Sequence, residues 1–465
     1  MKRITTLMIL FMLWNCSFSQ VKTEYWSNKN KKSEGNIKDS LKTGKWTFWY
    51  ENGQKWSDGE YTANNKTGKW TYWYKSGKKW SVLHYDTGTD TSWYETGQVE
   101  KLGKVINGKM DGQWIYWYQN GQLKEETIYK NGMKEGKSIS FFENAAKEFE
   151  GIYHNDSLEG YATWWNENSG KDMEGKSIRG LQDSIWIFYH PNGKIGSKGM
   201  FKKGLQEGVW TYWYETGEKW KEGNFVKGQR QGIWTAWYEN GAKEREGSFL
   251  DNKETGLWNN WYKSGQLKTS GNFAEGLMTG IWKGWYESSQ KKYEVGYIPK
   301  SRKNQWKGYD INKNDSIEMK YKESPETNIK DGLAKYWYEN GTEKSEEYYK
   351  EGLMDGPWTQ WYDTGIMQET GFYKNDQQTG YWTFFDDHGV KFKEQEFANG
   401  IPNGKWITYF ANGQKSAQGS NVNGYKEGEW IYWNEKGDVI YSVTYKKGEK
   451  TKETSYPGEA KKKGN

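Results

Sequence analysis

One cysteine, five arginines and four histidines are all that 465 residues carry of those types. With Cys16 alone, neither an internal disulfide nor a zinc site built of several thiolates can form. The few arginines and a formal charge of +6 spread along the whole length leave no basic face for gripping phosphates, so nucleic acid is not expected as a partner. His84, His154, His190 and His388 share neither a common position nor a metal-ligand spacing, and each reads as a surface or turn residue. No nucleophile elbow, phosphate loop or HExxH motif occurs. The expectation is a non-enzyme with no catalytic residue, no metal and no cofactor. Aliphatic residues are scarce as well. Apolar residues make up 34% and aromatic ones alone 18%. That excludes a conventional Leu/Ile/Val core, yet it is far too aromatic for a disordered chain.

What is present is repetition. The stretch Gly44 to Tyr61, GKWTFWYENGQKWSDGEY, returns as GKWTYWYKSGKKW from Gly68, GVWTYWYETGEKW from Gly208 and GEWIYWNEKGDV from Gly428. The pattern is G-x-W-x-x-W-Y-x-x-G, and its first tryptophan defines an anchor slot. That slot falls at 46, 70, 90, 114, 138, 162, 186, 210, 234, 258, 282, 306, 334, 358, 382, 406 and 430, with every step 24 residues except one of 20 and one of 28. Trp46, Trp70, Trp114, Trp210, Trp234, Trp258, Trp282, Trp358, Trp382, Trp406 and Trp430 are the expected structural anchors. A period kept this strictly marks a repeat array of about 17 units, which grows by stacking rather than by enlarging one core.

Each unit reads as a β-hairpin. Trp, Thr, Phe and Tyr favour strands, and the Asn-Gly between two such runs is a strong hairpin signal because both residues tolerate positive φ. A second turn, as in NGKMDG from Asn107 to Gly112, closes the unit and leaves no room for a helix. The expected fold is all-β, an elongated single-layer antiparallel meander. Alternation places Trp46, Phe48 and Tyr50 on one side and Thr47 with Trp49 on the other. The first, fourth and fifth strand positions stay aromatic, whereas the third varies: Phe48, Tyr72, Tyr116, Tyr212, Ala236, Asn260, Gly284 and Gln360. Constant positions suit repeat-to-repeat stacking and variable ones are free for other work, which makes Phe48, Tyr72, Tyr116 and Tyr212 candidate binding residues. Glutamates recur at the turn with the period, so they belong to hairpin geometry; a catalytic carboxylate pair would be unique in the chain.

The run Gly-x-Trp-x-x-Trp-Tyr-x-x-Asn-Gly, the closing Asn-Gly-x-x-x-Gly turn and the repeat length resemble the MORN-repeat variant family, in particular the bacterial proteins labelled YwqK-type antitoxins. The resemblance runs from about Trp26 to Gly448. It implies stacked hairpins in one twisted sheet and a scaffold for protein interaction, with lipid binding in some members. Choline-binding and other cell-wall repeats also carry Gly-x-Trp and Trp-Tyr pairs, but space them differently.

Residues 1–19 form an expected secretory signal peptide: Lys2 and Arg3, an apolar run from Ile4 to Trp14, then Ser17-Phe18-Ser19 as the cleavage signal. The run is too short to span a bilayer permanently. Cleavage is expected after Ser19; lipidation at Cys16 is disfavoured because Asn15 and Trp14 precede it. The remainder divides into an N-terminal array (20–300), a degenerate repeat with an insertion (301–331), a C-terminal array (332–448) and a disordered Lys-rich tail (449–465). The degenerate unit keeps only Trp306 and Tyr309 of the pattern and is a candidate binding lip. The functional expectation is a secreted or periplasmic scaffold for a protein or cell-envelope polymer. Its rivals are glycan binding through tryptophan rows, toxin neutralisation and membrane-surface binding.

Overall fold

Among the described residues every element is a β-strand, and no helix is long and apolar enough to cross a membrane. The computed structural model describes residues 19–300, 307–310, 315–318 and 327–456. The leader up to residue 18 and Trp306 lie outside them. The chain divides into two units, Met1–Gly208 with Glu215–Gly217 and Val209–Tyr214 with Glu218–Asn465. Each is an antiparallel meander. In the first, Leu41–Trp49 pairs with Lys55–Thr62, which pairs in turn with Asn65–Trp73. In the second, Gln229–Trp237, Lys243–Leu250 and Lys253–Trp261 succeed one another in the same way.

The two turns of a repeat divide the labour differently from the expectation. The closing turn is the one with two residues at positive φ, as at Asn107 (51°) and Gly108 (73°) or Asn375 (50°) and Asp376 (63°). That is a two-residue hairpin turn whose twist matches its strands. In the Asn-Gly turn after Tyr50 only Gly53 is left-handed, at 86°. It ends a three-residue loop closed by Gly53 N–H to the Tyr50 carbonyl at 3.0 Å and Tyr50 N–H to the Gln54 carbonyl at 2.8 Å. The asparagine there serves its side chain rather than its φ. Asn52 Oδ1 accepts from the Gln54 amide at 3.1 Å, while Nδ2 donates to the Lys75 carbonyl of the next repeat at 3.3 Å. Asn120, Asn240 and Asn412 repeat the cross-link to Glu143, Lys263 and Glu435.

In the regular repeats the outgoing strand carries a bulge two residues before its anchor, where Gly44, Gly68 and Gly256 have φ of 61°, 62° and 65°. The register jumps from Gly35–Trp46 to Asn36–Thr43 across it. The bulge breaks the ladder and frees one carbonyl per repeat.

Two differences concern the irregular segments. Lys291–Lys300 pairs directly with Thr327–Trp337, from Tyr293–Tyr336 to Lys300–Thr327. Residues 301–326 therefore fall between two strands that are already neighbours, and the sheet steps from the Trp282 slot to that of Ala334. Lys307–Asp310 and Asp315–Glu318 pair with each other in a ladder of their own. The tail expected from 449 begins instead as a strand: Glu449–Ser455 pairs with Val439–Lys446 through a turn at Lys447 (50°) and Gly448 (84°). Gly448 occupies the closing-turn slot, and a strand rich in lysine, glutamate and threonine suits a solvated sheet edge.

Candidate functional site

The anchor tryptophans face a core built of ring and glycine pairs. Beneath most anchor rings lies a glycine of the preceding strand: Gly35 under Trp46, Gly247 under Trp258, Gly371 under Trp382. A Cβ on Gly247 would meet Trp258 Cδ2 at 2.0 Å, so the indole lies flat on bare backbone. Its Nε1–H donates to the Ser248 carbonyl freed by the bulge, at 3.2 Å. Trp46, Trp70, Trp114, Trp186, Trp234, Trp282, Trp382 and Trp430 make the equivalent bond to Asn36, Glu60, Lys104, Lys176, Asn224, Asn272, Phe372 and Ser420. These rings and Trp210 are buried. They offer no face to a sugar.

Trp358 and Trp406 depart from this. Glu347 and Gln395 occupy their glycine positions, and both rings are only half-buried, leaning on the next anchor at 5.3 Å (Trp382) and 4.9 Å (Trp430). Elsewhere the pair changes together. Val295 faces Ala334 and Thr127 faces Ser138, volume having moved from one side of the ladder to the other. At the short unit Asp90 fills the anchor slot and accepts from the His84 amide at 2.6 Å, with His84 Nδ1 at 3.2 Å.

The third-position rings also take part in the packing. They share the anchor face, so they extend the stack. Phe48 lies 5.8 Å from Trp46 and 6.1 Å from Trp70; Tyr72 is buried and touches the Lys66 ammonium and Tyr85. Tyr116 lies 6.2 Å from Trp114, and burial pushes its hydroxyl pKa upward. Tyr212 lies 6.0 Å from Trp210. Lysines close this layer, with Lys42, Lys66 and Lys426 placing ammonium groups 4.5, 4.4 and 4.1 Å from the Trp46, Trp70 and Trp430 rings. Tyr309 is paired through its backbone with Ser316, away from the array's ladder.

The fifth-position tyrosines cross-link neighbours. Tyr50 Oη–H donates to the Trp73 carbonyl at 3.0 Å, Tyr262 to Trp285 at 2.9 Å and Tyr286 to Trp337 at 3.0 Å. The opposite face repeats a Lys–Trp–acid group. Lys243 sits 5.6 Å from the Trp261 ring and bonds Glu246 at 2.7 Å; Lys55 does the same with Trp73 (4.9 Å) and Asp58 (2.9 Å).

A different set of tryptophans reaches solvent. Trp56, Trp80 and Trp220, each just after a hairpin turn, are 40% exposed. Their signal is the Lys-Trp of GQKW, GKKW and GEKW, which sequence reasoning passed over because most repeats lack it. Trp56 meets Phe48 edge-on at 6.0 Å, and Trp80 meets Tyr72 likewise at 5.9 Å. Among the described residues, Asp386, Asp387 and His388 alone bring three ligand-type groups within reach of one cation. They share one exposed turn, where Asp386 Oδ1 already accepts from the amides of His388 and Val390.

The MORN repeat variant family matches at 42–63, 66–87, 110–131, 182–203, 206–227, 230–251, 330–351 and 354–375. No curated protein matches the chain. Among solved structures it is similar to a TcdB2-TccC3-Cdc42 crystal structure, at 10% identity over 96% of this chain and 25% of that one, with a TM-score of 0.15. A Photorhabdus luminescens Tc holotoxin pore gives 10% identity over 92% and 24%, also at 0.15. The chain spans about a quarter of their length, and a likeness this slight carries no argument. The eight matched segments, with the hairpins around them, make this chain an all-β array that carries MORN repeats of the variant type.

Proposed function

We propose that the chain is a secreted, non-enzymatic scaffold that binds a protein or an envelope polymer along its repeats. The observation that supports this is the way one repeat holds the next. Tyrosine hydroxyls and asparagine amides grip main-chain carbonyls of the neighbouring unit. Side chains at equal positions thereby recur at two strand spacings, about 9.6 Å. Such rows favour an extended partner that meets several units at once, since linked weak contacts multiply. The leader supports export, and export argues against neutralising an intracellular toxin.

Fractionation of tagged protein with N-terminal sequencing tests the reading. The expected product starts at Gln20 and lies outside the cytoplasm. A cytoplasmic product retaining Met1 would sink the secreted scaffold and restore the antitoxin alternative.

A further inference from the structure

We infer that the exposed indoles of Trp56 and Trp80 form a docking groove for a proline-rich peptide in the polyproline II conformation. The inference rests on the scaffold reading and names its partner's chemistry.

Three observations carry it. The first is pitch. Trp56 and Trp80 occupy the same place in Lys55–Thr62 and Lys79–His84, with Asn65–Trp73 between them. Two strand spacings separate them by about 9.6 Å, and a polyproline II helix advances about 9.3 Å per turn. A ligand crossing the strands therefore meets an indole with the same side of each turn. The second is shape. Beside Trp56 lies a hollow of about 440 Å³ walled by Trp26, Phe48, Trp49 and Tyr50 with Lys32 and Lys42 at its border; beside Trp80 lies one of about 260 Å³ walled by Tyr72 and Leu83 with Glu100 and Lys101 at its border. Each indole meets its neighbouring ring edge-on, at 76° to Phe48 and 75° to Tyr72, and forms a ridge bordering its hollow. Polyproline segments dock on aromatic ridges of this kind.

The third is hydrogen-bond polarity. The indole N–H groups of Trp26, Trp46 and Trp70 are each spent on a main-chain carbonyl. Those of Trp56 and Trp80 donate to no protein group among the described residues. A proline run offers carbonyl acceptors and no N–H donor, which complements two free donors. A pyranose chain would ask for acceptors around each ring as well. At the first ridge Glu24 is held by Lys22 at 2.9 Å and Ser33 at 3.1 Å, and at the second Glu100 is a lone carboxylate for the several hydroxyls of a sugar ring.

The test is fluorescence anisotropy of a labelled polyproline peptide against the full mature chain. Saturable binding is expected, with Trp56→Ala and Trp80→Ala each weakening it at least ~10-fold, as for a central aromatic contact. Trp80→Phe keeps the ring and removes the donor, so it should weaken binding by roughly 3-fold to 10-fold. Trp220→Ala, with no exposed indole one repeat away, should leave binding within about 2-fold. Circular dichroism confirms folding, and Trp80→Phe decides the matter if an alanine variant does not fold. Absence of saturable binding overturns the inference, as does binding indifferent to both alanine variants. So does binding of a β-linked oligosaccharide, in place of the peptide, that the same variants abolish. Any of these leaves the export result untouched, so the groove and the scaffold fail separately.

Discussion

Placing a single methyl group on Gly247 should dislodge Trp258. The added Cβ would sit 2.0–2.4 Å from three atoms of the indole, and the ring cannot compress, so it must tilt out of its seat. The destination is visible within the chain, because Trp358 and Trp406, facing Glu347 and Gln395, are half-buried. Giving up about a third of an indole's burial costs about 1–1.5 kcal/mol on the scale of aromatic truncations. The Nε1–H bond to Ser248 adds about 1 kcal/mol. The edge contact with Phe249, at 5.1 Å, adds about 0.5 kcal/mol. Gly247→Ala should therefore cost about 2.5–3 kcal/mol, comparable to removing a core side chain outright. The Val295–Ala334 pair supplies the control. Gly247→Val with Trp258→Ala copies it, and that double variant should be at least ~2 kcal/mol more stable than the sum of its two single variants. Repeat arrays open unit by unit, so hydrogen exchange of the amides in Lys243–Trp261 is the right readout, beside denaturant melts. A loss under ~1 kcal/mol for Gly247→Ala, or an additive double variant, would refute the ring-on-glycine account.

Ser184 holds φ of 60° at the bulge position where other repeats place glycine; Ser184→Gly should stabilise by about 1 kcal/mol in urea melts. Replacing residues 301–326 with Asn-Gly should join Lys300 to Thr327 by a regular two-residue turn, raising stability by about 2 kcal/mol through shorter loop closure; a collapse in melting temperature would show that the excised segment supports the array. Tyr262→Phe removes the bond to the Trp285 carbonyl and should cost about 1 kcal/mol. The Lys243 ammonium, then the Thr235 hydroxyl, hold the Glu246 carboxyl below its ordinary range. Stability from a depressed carboxylate is complete above the unfolded value near ~4.3 and lost as pH falls through the folded one. Glu246→Gln should accordingly destabilise at pH 7 and lose that effect in melts below the folded value.

The hairpins, their order and the anchor rings were legible because period and alternation act locally: the same residues that twist a strand also set the spacing. Interactions between strands were not. Nothing at Asn52 reveals that its amide reaches Lys75 while only Gly53 needs positive φ, since either role selects Asn-Gly. Phe48 and Tyr72 vary between copies and so read as free, yet they share the anchor's face and its packing. Trp306 comes after Trp282 at the regular interval, and spacing alone does not tell a unit within the sheet from one whose flanking strands have already met. Trp56 and Trp80 escaped notice for the opposite reason: too few repeats keep them for periodicity to raise them.

The cross-links from Tyr50, Asn52 and their counterparts end on carbonyl oxygens, which every amino acid possesses. These particular links are thus blind to the side chains of the adjoining unit, and only the glycine under the anchor ring has to match. Tyr286 makes the bond to Trp337 that Tyr262 makes to Trp285, although the first pair is 51 residues apart and the second 23. A gene encoding such a chain can duplicate, delete or shuffle whole units that keep the glycine and ring pairing, or accept foreign sequence between two strands. Length becomes an inheritable dial, and novelty such as a protruding indole can be trialled in one or two copies while their siblings keep the sheet intact.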